Sequence, residues 1–528
     1  MIFLLLVGLN ACSPDAKHNI ILITLDTQRA DHISSYSRQF AQTPNIDSLA
    51  EKGVLFEKCY SPTPITLPAH ASLFYSQLPS QLQIYNNGDV FNGEGKESLA
   101  EIFQKRGYST HAIVSLGVLK EKFGLYRGFD TYDDIFPREK WYLDAAEVNQ
   151  KAHQWLEANR LSDFFLWIHY SDPHGPYSPP GEPPDLKIFV NDEFQKDLCL
   201  DKNRTEELDV ALNKGKNTLK LEVINAFNDD PTKSKARLDV LELIPPSEKD
   251  IPRIEFGRGA AKRDHRGTTN VYLGKEAHLN IFSDTEQPSI KLKLRGRLLL
   301  KPQGCQVMYR KEVEYMDREI GKLFARLKSL NLLDNTAIVI VGDHGEGLGE
   351  YRFPGGAPHI GHIHFLYSLY LEVPFIVYSP RIKAEGRRIK EPVSIMDVGP
   401  TIFGLLGWKQ PDFMVGADVF KGKKHKSEPS PLFGETYEPQ SFYTSFCLIQ
   451  YPWHLIITPK KKWLELYDLS KDPLERQNIY SDTEARNEIA QLEIKLNDYI
   501  RTSLAKKLPD KEKDKDTLEM LRSLGYIK

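Results

Sequence analysis

The sequence predicts an α/β protein: a mostly parallel sheet sandwiched by helices, with an inserted β-rich domain and a small C-terminal α+β subdomain. Three observations carry this. Continuous apolar runs such as "HNIILITLD" (18–26), "DFFLWIHYSDPH" (163–174) and "NTAIVIVGDHGE" (335–346) have the composition of strands buried on both faces. Helical stretches alternate with them, as in sheets built from parallel strands and crossover helices. The runs end in polar residues, Asp26, Asp172 and Asp343-His344, and open α/β sheets bind ligands at the carboxyl ends of their strands.

In chain order, "TPNIDSLAEKGVLFEKCY" (43–60) reads as a helix and a short strand. "SLAEIFQKRGYSTHAIV" (98–114) reads as helix, glycine stop and strand, and "AAEVNQKAHQWLEANR" (145–160) as a helix. Residues 186–305 break the pattern. "NTLKLEVINAF", "ARLDVLELI", "HLNIFSD" and "SIKLKLRGRLLL" alternate with period two between turn-forming residues, which predicts an inserted β-sandwich. Its second half is basic, through Arg258, Lys262, Arg263, Arg266, Lys291, Lys293, Arg295 and Arg297. That is the pattern of a solvated antiparallel face, or of a module facing a glycan or another polyanion. A long amphipathic helix from Val307 then leads into the third apolar run, and "EVPFIVYSP" (372–380) is one more strand. The predicted division is 1–17 signal and tether, 18–185 and 306–425 the two parts of the core, 186–305 the insert, and 426–528 the C-terminal subdomain. "KLPDKEKDKD" (507–516) is a solvated charge run.

The 528 residues suggest more than one folding unit; hydrophobic residues are 41% and charged residues 27%, ordinary for a globular chain. A formal charge of −3, from 69 Lys+Arg against 72 Asp+Glu, gives no support for nucleic-acid binding. The run Ile2 to Leu9 is too short to span a bilayer, which takes about 20 residues, and has the size of a signal-peptide core. Leu9-Asn10-Ala11-Cys12 resembles a bacterial lipobox, so the expectation is an exported periplasmic or cell-surface lipoprotein, held at the membrane through lipidated Cys12. Cys199 and Cys305 bracket the insert, where a disulfide and two free thiols are both consistent with an exported chain.

Asp26, Asp343 and His344 are hard oxygen and borderline nitrogen ligands suited to a divalent cation. Thr66 follows the proline-rich turn "SPTPIT" and opens a helix with Pro68 in its first turn. A hydroxyl there is expected to face free backbone N–H groups, a site for a sulfate or phosphate oxygen. Threonine is a weak nucleophile that metal coordination activates, so Thr66 is assigned as both ligand and nucleophile.

These segments, with "WIHYSDPHGPY", "HFLYSLYLEVPFIVYSP", "VSIMDVGPTI", "LYDLSKDPLERQNI" and the terminal "LRSLGYI", occur in an order that resembles the sulfatase family of the alkaline phosphatase superfamily. The resemblance covers all but the signal and the insert, and implies an alkaline phosphatase-like fold. It implies one divalent metal (Zn, Mn or Ca) on Asp26, Thr66, Asp343 and His344. His70, His174 and His362 match positions that hold the substrate's anionic oxygens or protonate the leaving group, with His174 and His362 taken as catalytic and His70 as substrate-binding. Arg29 is placed in the first metal loop, as a substrate-binding group or one that orients Asp26. Asp172, His174 and His362 are also the residue types that hold a second metal in two-metal relatives, at a tighter spacing. His169 is read as a core histidine outside the site.

Two departures alter the expected chemistry. Formylglycine sulfatases carry Cys or Ser, then Pro two on and Arg four on; here the places hold Thr66, Pro68 and His70. Threonine lacks the CH2 that is oxidised to the aldehyde, so no formylglycine is expected. Thr27 replaces a second Asp, which favours Zn or Mn over a calcium-type site. A sulfated threonine cannot release sulfate by collapsing to a carbonyl, whereas a phosphorylated or phosphonylated one is cleared by in-line attack of water. The expected activity is hydrolysis of sulfate, phosphate or phosphonate esters on a glycan or glycolipid. The runner-up is a phosphodiesterase or phosphoryl transferase; the reading from another class is a catalytically inactive polyanion-binding lipoprotein.

Overall fold

The computed structural model describes residues 18–528 apart from 94, 138–140, 176, 178, 181–185, 199–205, 224–235, 246–251, 259, 266–267, 274–275, 299–301, 383, 385, 421–429, 482–485, 508–511, 525 and 527–528. The predicted signal, Cys12 and Cys199 lie outside the described residues.

The central sheet has eight strands: β1 (Asn19–Leu25), β2 (Val54–Phe56), β3 (Ser109–Ile113), β4 (Thr131–Asp133), β5 (Phe164–Tyr170), β6 (Thr336–Gly342), β7 (Phe375–Tyr378) and β8 (Arg387–Ile389). Their spatial order is β8-β2-β7-β6-β1-β5-β3-β4. The block from β6 to β4 is parallel, β2 and β8 pair in parallel, and β7 alone runs against both its neighbours. Every residue of β1, β5 and β6 is buried, as their unbroken apolar composition requires.

Helices cover both faces. On one side Ile20, Leu22, Trp167 and Val339 meet α2 (Thr66–Tyr75), α3 (Leu99–Lys105) and α6 (Val398–Leu405) through Leu73, Phe103 and Phe403. On the other, Ile21, Ile23, Leu166 and Ile340 meet α1 (Pro44–Ala50), α4 (Ala145–Asn159) and α5 (Pro302–Ser329) through Ile46, Leu156 and Met316. Helix starts follow local chemistry: Ser98 with Glu101 and Asp144 with Glu147 form capping boxes at α3 and α4.

Between β5 and α5, residues 186–298 form two five-stranded antiparallel sheets around Leu186, Ile188, Leu219, Leu221, Leu279, Ile281, Leu238 and Leu292. Each of the four alternating segments read from the sequence lies in one of them. Lys291 and Lys293 are both paired with Glu207 across strands, so one of these two charges of the basic half is offset within the sheet. Cys305 carries a free, buried thiol, as do Cys59 and Cys447, so no bridge joins Cys305 to the far end of the insert. The thiol lies in the core at the start of α5, beside neighbours such as Met308 and Tyr309.

The C-terminal region forms a four-stranded antiparallel meander, Leu432–Thr436, Ser445–Gln450, Trp453–Thr458 and Trp463–Asp468, covered by α7 (Arg486–Lys506) and followed by α8 (Lys515–Ser523). Among the described residues no helix is long and apolar enough to cross a membrane.

A buried pair, His454 and Glu475, joins the meander to the core, because Glu475 also accepts from the backbone N–H of Ser368. Burial disfavours the charged imidazole, but the adjacent Glu475 carboxylate more than offsets this, and the His454 pKa rises from 6.5 to about 10. A raised folded-state pKa contributes stability that is complete below the unfolded value and lost as pH rises through the folded one. Denaturant midpoints are therefore expected to fall between about pH 6.5 and about pH 10. His454→Gln should be less stable at pH 6 and flatten that decline.

Candidate active site

The register of β1 on β6 builds the site. Leu25 lies opposite Gly342, so the next residues, Asp26 and Asp343, leave the sheet side by side at its carboxyl edge. Asp26 N–H donates to Tyr170 O at 2.9 Å and Asp343 N–H to Leu25 O at 3.3 Å, continuing the ladder one step past the strands. Asp343 Oδ1 accepts from the backbone N–H groups of Thr27 (3.0 Å) and His344 (2.7 Å). Asp26 Oδ2 lies 3.3 Å from His169 Nε2. His169 Nδ1 accepts from Ser115 N–H, so its Nε2 carries the proton given to Asp26. This leaves Asp26 Oδ1 and Asp343 Oδ2 buried without a hydrogen-bond partner.

One ligand atom each from Asp26, Asp343 and His344 lies within 4.8 Å of the others, and all three side chains are fully buried. Burial and the charge of Asp26 push Asp343 well above the usual carboxylate range. Burial acts the same way on Asp26, but the hydrogen bond from His169 and the nearby His174 and His344 hold it below that range. Burial lowers the His344 pKa to about 3, so its ring is neutral. His344 Nδ1 donates to Gly345 O at 3.0 Å, which leaves a lone pair on Nε2, the arrangement that suits a ligating histidine. Two open carboxylate oxygens and an imidazole lone pair converging in a dry site fit a divalent cation. Gly345 is required here: a Cβ would fall 2.1 Å from Leu369 O.

Thr66 is the first residue of α2, and its Oγ1 lies 3.2 Å from His344 Nε2 and 3.2 Å from the phenol oxygen of Tyr526. His174 Nε2 is 2.8 Å from the same phenol. The rings of His344 and His362 are 4.5 Å apart and those of His174 and His362 5.2 Å. His362 Nδ1 is paired with Glu346 at 2.7 Å, while its Nε2 is buried and unpartnered. Burial lowers the His362 pKa to about 4 and raises that of Glu346 to about 8. Tyr177 donates to the other Glu346 oxygen at 2.7 Å.

The Sulfatase family matches residues 18–408, and the N-sulphoglucosamine sulphohydrolase C-terminal family matches residues 362–502. The chain belongs to the sulfatase family. It is 24% identical over 512 residues to an arylsulfatase of Clostridium perfringens, covering 94% of the chain and 95% of the relative. A solved structure in complex with D-glucosamine-2-N,6-O-disulfate superposes with a TM-score of 0.61 at 17% identity, over 94% of this chain and all of the other. The phosphonate monoester hydrolase of Agrobacterium radiobacter superposes at 0.58 with 15% identity, over 93% and 96% of the two chains. The fold is alkaline phosphatase-like, and the chain is a sulfatase-family hydrolase.

The sulfatase frame brings Asp26, Thr66, Asp343, His344, His174 and His362 to one edge of the sheet, and changes the reading of five other features. His70 lies one turn below Thr66. Trp167 Nε1–H donates to Thr24 Oγ1, which faces His70 Nε2 at 3.1 Å, while His70 Nδ1 faces Thr66 O at 2.8 Å. Both ring nitrogens are engaged, so His70 braces the helix start and does not hold substrate. Arg29 pairs with Asp31 and Glu350 and also donates to Glu346 O, so it ties the loop after β1 to the loop after β6 instead of presenting a free cation. Asp172 accepts from Ala145 N–H at the start of α4, outside the metal-capable group formed by Asp26, Asp343 and His344. The amides after Thr66 are not the free ones expected at the helix start: Leu67 N–H donates to Asn87 Oδ1, Pro68 has none, and Ala69 N–H donates to Ile65 O. His169, read as lying outside the site, instead holds Asp26 from below. Asp343→Asn is expected to purify without its cation by elemental analysis, and His169→Ala to bind the metal roughly 10–100-fold more weakly.

Proposed function

We propose that this sulfatase-family enzyme hydrolyses an anionic ester through a covalent intermediate on Thr66. The observation that carries this is the Thr66 hydroxyl at 3.2 Å from His344 Nε2, beside the open oxygens of Asp26 and Asp343. Asp26, Asp343, His344 and Thr66 would hold a divalent cation. When bound, it supplies Lewis acidity, easing loss of the hydroxyl proton and offsetting the charge of the ester. Thr66 Oγ attacks the sulfur or phosphorus. His174 and His362 stand beside it at the rim, to hold the anion's oxygens and to protonate the leaving oxygen. Water then attacks the sulfur or phosphorus of the threonine ester, releasing the sulfate, phosphate or phosphonate and restoring the Thr66 hydroxyl. The neutral, buried His344 and the proton held by Gly345 O keep the Nε2 lone pair aimed at the hydroxyl. Threonine cannot form the formylglycine aldehyde, so release depends on attack at the sulfur or phosphorus itself.

A sulfated glycan or glycolipid is the proposed substrate class, supported by family membership and by the disulfated glucosamine in a structure of the same fold. Phosphoryl or phosphonyl esters are the second reading. Thr66 favours them, because in-line water attack clears a phosphorus ester more readily, and a phosphonate monoester hydrolase shares the fold. Export and tethering through Cys12 belong to this reading and rest on the lipobox-like sequence before it.

The test assays an aryl sulfate, a phosphate diester and a phosphonate monoester with wild type and Thr66→Ala. Turnover of one class and a fall of roughly 10³-fold or more in kcat for Thr66→Ala are expected. Unchanged turnover by Thr66→Ala rejects the nucleophile. A wild type that binds no metal and cleaves none of the three supports the binding-protein alternative.

A further inference from the structure

Tyr526, which follows α8, lies inside the site. Asp514 caps α8 by accepting from Thr517 N–H at 2.8 Å, and Met520, Leu521 and Leu524 are buried in the main core. Lys122 donates to Thr517 of α8, and Lys513, just before α8, donates to Asp89. This docking places the Tyr526 ring 5.6 Å from the His174 ring and 5.6 Å from the His362 ring, with its hydroxyl between Thr66 and His174.

The hydrogen bonds have a fixed sense. The Gly175 carbonyl only accepts, so His174 Nδ1 donates to it at 2.8 Å, and the neutral tautomer that this contact selects has its lone pair on Nε2. Tyr526 O–H therefore donates to His174 at 2.8 Å, and its oxygen is free to accept from Thr66 at 3.2 Å. His344 Nε2 is the other acceptor facing Thr66, and it is the atom assigned to the cation. With that lone pair committed, the phenol oxygen is, among the described residues, the acceptor left for the Thr66 proton.

Resting on Thr66 as nucleophile, we propose that Tyr526 is a catalytic residue that relays the Thr66 proton to His174. As Thr66 Oγ bonds to the sulfur or phosphorus, its proton passes to the Tyr526 oxygen while the Tyr526 proton passes to His174 Nε2. The phenol is neutral before and after, and His174 becomes an imidazolium. The bond to the ester's leaving oxygen breaks with its electron pair, and His174 returns the proton to that oxygen. Charge and atoms close without another reactant.

Tyr526→Phe removes one oxygen and keeps the buried ring. In the full-length, metal-loaded enzyme, kcat is expected to fall roughly 10²-fold with Tm unchanged, the scale of a lost proton-transfer group. A proton inventory on kcat/KM should be bowed in wild type, with two protons in flight, and linear in Tyr526→Phe. A purely structural tyrosine would leave that curvature in place. In the metal-free protein, the imidazole nitrogen signal of His174 Nε2 should move towards the position of an unbonded lone pair in Tyr526→Phe. This readout holds whatever the turnover. Wild-type or higher kcat in Tyr526→Phe, the latter marking the tail as a plug, overturns the relay. So does a His174 signal that is the same in both proteins. If Thr66→Ala stays active, or wild type cleaves no ester, the nucleophile reading fails and the relay falls with it. Inactive Thr66→Ala beside fully active Tyr526→Phe rejects the relay alone.

Discussion

Two buried carboxylates side by side are the constraint on which the rest of the site depends. β1 and β6 pair in register, so Asp26 and Asp343 leave the sheet at the same level. In a dry interior such a pair cannot stay fully ionised without countercharge. The surroundings answer part of the demand. Two backbone amides take Asp343 Oδ1 and one imidazole takes Asp26 Oδ2. One oxygen of each acid stays open, and both face a neutral histidine whose lone pair is held outward by Gly345. The attraction of this acid pair for a cation therefore follows from the sheet register and burial before any chemistry of the substrate is considered.

The loops that meet this demand are strained. Thr27 has φ 54° and Ile363 φ 73°, in the left-handed region that β-branched residues rarely adopt. Each such residue costs on the order of 1–3 kcal/mol and persists where its surroundings over-determine it. Thr27 N–H holds Asp343 and its carbonyl accepts from Tyr309 at 2.7 Å. Ile363 N–H reaches Pro64 O at 3.2 Å, and its carbonyl accepts from Thr436 of the C-terminal meander. The turn at Thr27 supplies an amide to the acid pair. The turn at Ile363 fixes His362 against the segment that leads into Thr66.

The strand tips were legible because short, β-branched apolar runs have the composition of buried strands, and such a strand has its first polar side chain at its end. Thr66, His174 and His362 were legible from motif order, with no periodicity behind them. What sequence could not convey was the partner of each side chain. His70 and Arg29 have the right chemistry, but one lies beneath the helix start and the other between two carboxylates. Glu346 stood in the same "DHGE" segment as the ligands and was passed over. His169 had a signal too, as a polar residue within an apolar strand at the level of Thr24 on β1. The insert's strands were visible by alternation, which defines a face but not a neighbour. The pairing of Glu206–Leu212 with Gln287–Leu298 is therefore a finding of the structure. Tyr526 stood in the terminal "LRSLGYI" of the family resemblance, but nothing in that short segment ties its phenol to Thr66.

Tyr526 also shows how remote packing sets the site. Its hydroxyl meets Thr66 across 460 residues of chain. Two neutral hydrogen bonds contribute about 1 kcal/mol each, too little to hold a tail against its conformational entropy. Burying Met520, Leu521 and Leu524 contributes roughly 1.5–3 kcal/mol per side chain, so the core fixes the tail and the tail fixes the phenol. The insert is rooted by the same logic. Its first strand begins nine residues after Tyr177, which holds Glu346. α5, which follows its last strand, carries Tyr309, whose hydroxyl accepts from Arg29 N–H and donates to Thr27 O. Both ends of the insert are thus anchored in the walls of the site. The β-sandwich is rooted in residues that hold Glu346 and the loop after β1 in place.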